Sequence, residues 1–151
     1  MSKSRPGTQV YPETSYSAAV LPDLSREEDR RRLTAAGLKA FFKIVERWKV
    51  TDEDARELLG GISNGTYYQW KGNPRATRTL DQDELTRISY LIGVYKALNI
   101  LYSQRLADQW MQLANTNPIF GGRPPLEYVL HGGIPAMETL RRLVDARRGG
   151  W

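Results

Sequence analysis

Leu38, Phe41, Val45 and Trp48 recur at steps of three and four residues, which predicts an amphipathic helix over 33–48. Its wet face carries Lys39, Lys43, Glu46 and Arg47, and the mixed-sign run Arg26–Arg32 supplies solvated first turns. A second, shorter buried face follows in Ala55, Leu58 and Leu59. Thr51 precedes it as a hydroxyl cap, and the acidic Asp52, Glu53 and Asp54 suit the positive end of a helix dipole. Gly60-Gly61 ends this helix, Ile62 plugs the turn, and Ser63 caps a third helix that runs to Lys71 before Gly72-Asn73-Pro74 breaks the chain. Trp70 is assigned to the core, because an indole in so short a helix serves packing best. After a loop over 75–79, Leu80–Glu84 opens the longest helix. Its stripe runs through Ile88, Leu91, Ile92, Tyr95, Leu98 and Tyr102, thickened by Tyr90, Ile100 and Leu101. A helix apolar on nearly two faces needs two partners, and one of them can be a second copy of the chain. Ser103–Ala114 reads as one further helix with Leu106, Trp110 and Leu113 inward, closed by Asn115-Thr116-Asn117-Pro118.

The last third repeats the pattern on a smaller scale. Leu126, Val129 and Leu130 share one helical face, and Met137, Leu140 and Val144 share another. Pro124-Pro125 suits a helix start, Pro135 suits the next, and Gly132-Gly133 stops the first. No segment alternates as a strand should. The expected fold class is therefore all-α, a bundle of six or seven helices. Residues 1–30 form a leader with Pro6-Gly7, Pro12, Pro22 and no period, 31–79 a helix-turn-helix region, and 80–151 the long helix with a small C-terminal domain.

Composition adds little to this picture. A chain of 151 residues holds one ordinary domain or two very small ones. The formal charge of +5 and pI near 9.6 fit a polyanionic partner without requiring one. Cysteine is absent, which removes disulfides and thiolate metal sites. No apolar run reaches membrane-spanning length and the N-terminus lacks a secretory segment, so a cytoplasmic protein is expected. The single histidine, His131, falls at a helix end, where capping or packing explains it. No metal-ligand spacing occurs, and the paired glycines at 60–61, 121–122 and 132–133 lack the strand–helix setting and lysine of a phosphate loop. The chain is expected to be no enzyme and to need neither cofactor nor metal.

Two stretches carry binding chemistry. Short helix, glycine turn, inward apolar residue and second short helix have the spacing of a helix-turn-helix, whose second helix lies in the major groove. Ser63, Asn64, Thr66, Tyr67 and Gln69 are then the candidates for base or phosphate contact, with Lys71, Arg75 and Arg78 for flanking phosphates. A plain helical corner fits the same residues, and reading helices usually carry more positive charge than this one. The second stretch is the tail Arg147-Arg148-Gly149-Gly150-Trp151. It is either a frayed end or a docking peptide with an aromatic anchor.

The run Asn117-Pro-x-x-Gly121-Gly122-Arg123-Pro124-Pro125-Leu126-Glu127, then Gly132-Gly133, then Asp145-Ala-Arg-Arg-Gly-Gly-Trp151, resembles the C-terminal toxin-binding domain of the MbcA/ParS/Xre antitoxins. Those proteins are the partners of RES-domain toxins, which deplete NAD. The resemblance is specific over about 116–151, looser over 33–113, and does not extend to the leader. It implies that Arg123, Arg147, Arg148, Gly149, Gly150 and Trp151 bind such a toxin and that the tail blocks its substrate cleft. It further implies an Xre-like helix-turn-helix that binds operator DNA, in a homodimer within a larger toxin–antitoxin complex. The alternative is a freestanding helix-turn-helix regulator without a toxin partner, and a third reading is a helical adaptor that binds neither.

Overall fold

Leu38, Phe41, Trp48, Leu58, Tyr67, Trp70, Ile88, Leu98, Met111 and Leu140 are all 2% exposed or less and belong to one buried cluster, to which every helix contributes. The computed structural model describes residues 23–76 and 78–149. They form α1 (Glu27–Arg47), α2 (Asp52–Leu58), α3 (Asn64–Gly72), α4 (Gln82–Leu101), α5 (Gln104–Gln109) and α6 (Pro125–Arg148). Short 3-10 turns at Pro74–Ala76, Trp110–Gln112 and Pro118–Phe120 complete the order, and there is no strand among the described residues. The chain is all-α, with the helix-turn-helix in its first half.

Local chemistry sets the boundaries. Thr51 and Ser63 each accept a backbone N–H three residues on, at 3.1 Å. At α4 the cap is reciprocal: Asp81 accepts from the Glu84 amide at 2.7 Å, and Glu84 accepts from the Asp81 amide at 2.9 Å. The turn between α2 and α3 needs two left-handed residues, Gly60 (φ 100°) and Gly61 (φ 84°). Thr34 links α1 to the loop before α4, donating to the Arg30 carbonyl at 2.8 Å and accepting from the Leu80 amide at 3.1 Å. Arg30 reaches across the same seam to the carbonyls of Leu80 (3.1 Å) and Leu24 (3.0 Å). One arginine of the basic run is thus a clamp between elements.

The two partners that α4 needs are both in the chain, since it packs on α1 and on α6. Gly93 leaves room for the Arg141 side chain of α6: a Cβ there would lie 1.8 Å from a terminal nitrogen of its guanidinium. Ile100 stays largely exposed.

One expectation changes and two hold. Helix α1 starts at Glu27, so the charged run supplies its first turns, as expected. The expected helix over 103–114 is a single turn and a half of α-helix followed by a 3-10 turn, and its buried residues are Ala107, Trp110 and Met111, whereas Leu106 and Leu113 are exposed. Small Ala107 at 0% exposure lets this segment approach the core more closely than a leucine would. The expected stop at Gly132-Gly133 holds: Gly133, at φ 65° and ψ −148°, breaks α6 into two helices joined across a kink. That region of backbone space is nearly closed to residues with a Cβ. Gly133→Ala is therefore expected to lower stability by about 1–3 kcal/mol, measured by chemical denaturation. An unchanged midpoint would show that the break relaxes freely.

Candidate functional site

The exposed side of α3 is the first surface to weigh. Asn64, Gly65, Tyr68 and Gln69 are exposed, a spacing that puts them on one helical face, and Arg75 follows them at the exposed start of the next turn. Ser63 and Thr66 are already engaged with each other, for the Ser63 hydroxyl donates to Thr66 Oγ1 at 2.9 Å and accepts from the Thr66 amide. Tyr67 is not on this surface. It is 1% exposed, its ring meets Phe42 edge-on at 5.5 Å, and its hydroxyl is spent on Asp52. The reason is helical geometry: Tyr67 stands three residues before buried Trp70 and shares its face. Tyr68 takes the outward position that the sequence assigned to its neighbour.

Arg78, expected on a flanking phosphate, is exposed and paired within the chain. Its guanidinium forms two parallel bonds to the Glu84 carboxylate, both at 2.9 Å, and lies over the Trp70 ring at 5.0 Å. Glu84 is 5% exposed, so this pair holds the start of α4 to the end of α3. The pair raises the pKa of Arg78 above its ordinary value.

Asp52, at the start of α2, faces α3 and gathers three of its donors. It accepts from Tyr68 (2.7 Å), Tyr67 (2.8 Å) and the Lys71 ammonium (3.0 Å). The Tyr68 bond first, then Lys71 and Tyr67, bring the Asp52 carboxyl down to about 2. The phenol of Tyr67 is pushed up by burial and by that carboxylate, and that of Tyr68 by its hydrogen bond to it. Sequence spacing gave no sign of Asp52, which lies 19 residues from Lys71.

The second surface is built by the Asn117–Pro125 run. Asn117 accepts from the Ile119 amide at 3.1 Å and starts a 3-10 turn with Pro118 at its first position. Phe120 turns inward against Trp110 (6.3 Å) and Tyr128 (5.3 Å), both edge-on. Gly121 (φ 60°) and Gly122 (φ 83°) reverse the chain, and Pro125 enters α6. The result is a cleft of about 360 Å³ lined by Ile119, Arg123, Tyr128 and His131 among others. Ile119 and His131 are exposed, and sequence reasoning singled out only Arg123 for binding here.

Arg147 and Arg148 are at the far end of α6. Arg147 donates to the Tyr102 hydroxyl at 3.2 Å, and Arg148 lies 3.7 Å from Asp145, which also accepts from Arg141 at 2.7 Å. The straight part of α6 from Ile134 to Arg148 spans about 20 Å at 1.5 Å per residue. Arg123 thus lines the cleft before α6, and the two arginines stand at the end of α6. Gly149 ends the helix, with its amide bonded to the carbonyls of Asp145 and Ala146. Gly150 and Trp151, the other candidates from the tail, lie outside the described residues.

Among the described residues no three His, Cys, Asp or Glu side chains come together as a metal site would need, and no helix is long and apolar enough to cross a membrane.

Two comparisons bear on this architecture. Residues 27–93, from the start of α1 to the middle of α4, match the antitoxin Xre-like helix-turn-helix domain. Over 127 residues the chain is 35% identical to "Uncharacterized protein y4oB" of Sinorhizobium fredii (strain NBRC 101917 / NGR234), covering 83% of this chain and 94% of that protein. No solved structure matches it.

Proposed function

We propose, from the premise that the chain belongs to the family of y4oB and carries an Xre-like antitoxin helix-turn-helix domain, that it is an antitoxin that binds and blocks a RES-domain toxin. The domain match over 27–93 carries the antitoxin half of this reading. The RES-domain partner is supported by the likeness of the 117–151 motif to the toxin-binding domain of that antitoxin class. In this reading Arg148, Gly149, Gly150 and Trp151 enter the toxin's substrate cleft, and inhibition is steric, so the chain needs no chemistry of its own. Arg123 meets the toxin from the cleft before α6, with Ile119 and Tyr128 as apolar neighbours.

The helix-turn-helix supports a second activity, autorepression through operator DNA. Asn64 and Gln69 are the side chains offered to base edges, since each can form two bonds with adenine. Arg75 is the cation offered to phosphate. The three acids in the first turn of α2 work against tight binding by one copy, so two or more copies acting together are required. An apolar groove of about 490 Å³ between α1 and α4, lined by Leu33, Leu85, Ile88 and Ile92, is available to pair two chains. A monomer in sedimentation at micromolar concentration would remove that pairing.

The reading is tested by co-expression with a RES-domain toxin and purification through a tag on the toxin. Recovery of both chains in fixed ratio is expected. Recovery of the toxin alone would leave a DNA-binding regulator as the function.

A further inference from the structure

We propose that Asp52 is an electrostatic mask on the reading helix, holding Lys71 away from DNA phosphates so that α3 binds through base edges and little through charge. The proposal rests on the DNA-binding reading above and concerns how that surface is tuned.

Lys71 is the one cation that α3 carries. Its ammonium sits 3.0 Å from Asp52 Oδ1 and 5.9 Å from the centroids of both the Tyr67 and Tyr68 rings. A carboxylate and two aromatic faces thus already supply what a phosphate would offer. Tyr68 is fixed by the same carboxylate through its other oxygen, at 2.7 Å. The mask therefore sets the pose of an exposed aromatic beside Asn64 and Gln69 as well as the local charge. Nearby, Arg78 is taken by Glu84 at 2.9 Å. Two of the three cations on or just after α3 are thereby paired within the chain, although their side chains stay about half exposed (48% for Lys71 and 54% for Arg78), and Arg75 is exposed as well.

Position adds to the effect. In a helix-turn-helix the first helix crosses the DNA backbone. Here the first turn of α2 presents Asp52, Glu53 and Asp54. A carboxylate at that place repels phosphate while it holds the lysine. Such a surface suits a protein whose non-specific DNA affinity is kept low, because non-specific binding comes from cation–phosphate contacts that release counterions.

The experiment measures binding of the full chain to a duplex from upstream of its own gene, and to a scrambled duplex of equal length, across a fourfold range of salt. Each cation–phosphate contact steepens the logarithmic salt dependence by about 0.9, or about 3.5-fold in affinity over that range. Asp52→Asn is expected to steepen the dependence by that amount and to tighten binding to the scrambled duplex. Lys71→Gln is expected to leave the wild-type dependence unchanged and to cancel the gain in the double variant. Flattening of the wild-type dependence by Lys71→Gln would overturn the proposal, for Lys71 would then already be on a phosphate. An Asp52→Asn chain that folds and matches the wild type would overturn it equally. If circular dichroism shows that Asp52→Asn does not fold, Lys71→Gln alone decides. A wild-type chain that binds neither duplex at any salt would overturn the DNA reading and the mask together, whereas binding with unaltered variants removes the mask alone.

Discussion

A chain ending at Arg147 is expected to bind the proposed RES-domain toxin at least about thirtyfold more weakly than the full chain, with the same denaturation midpoint. The two halves of this result have different origins. The last fully buried side chain of α6 is Val144, at 0% exposure, and Arg147 keeps its bond to Tyr102 after the cut. Among the described residues, folding therefore loses only the last residue of the helix, the Gly149 amide bonds and the weak Arg148–Asp145 pair at 3.7 Å. Binding, on the proposed reading, loses an aromatic anchor and an arginine, residue types that dominate interface energies. An anchor of this kind is worth about 2 kcal/mol or more, which is the thirtyfold. Titration calorimetry against catalytically inactive toxin checks it. Full affinity in the shortened chain would move recognition to the Arg123 cleft.

The second large effect separates packing from reading on α3. Tyr67→Ala is expected to cost about 3–5 kcal/mol in chemical denaturation, as for other buried aromatic residues cut to alanine. The side chain is 1% exposed and bears on Phe42, so its removal opens a cavity between α1 and α3. Tyr67→Phe keeps the ring and loses only the bond to Asp52, at about 1–2 kcal/mol. Gln69→Ala, on the exposed face, leaves stability within about 0.5 kcal/mol. A Tyr67→Ala chain of normal stability would return that residue to the reading surface.

Much of the frame was legible because it is local. Thr51, Ser63 and Asp81 are capping residues at the positions where caps form, and the glycine pairs at 60–61 and 121–122 stand where the chain turns left-handed. The choice of Tyr67 or Tyr68 as the inward ring was also open to reasoning, since only Tyr67 is three residues from Trp70. The other differences are tertiary. The approach of Asp52 to Lys71 depends on the angle between two helices, and that of Arg78 to Glu84 on a loop of no helical spacing. Ala107 outranks Leu106 in burial because close approach of α5 to the core favours the smaller side chain. Apolar character alone points to the leucines.

The central claim is that this chain protects cells from a RES-domain toxin. The most direct measurement is cellular NAD after induction of the toxin, with and without the full chain. NAD held at the uninduced level by the full chain, and depleted with the chain ending at Arg147 despite equal expression, is the predicted result. Depletion to the same extent with and without the full chain would contradict the account.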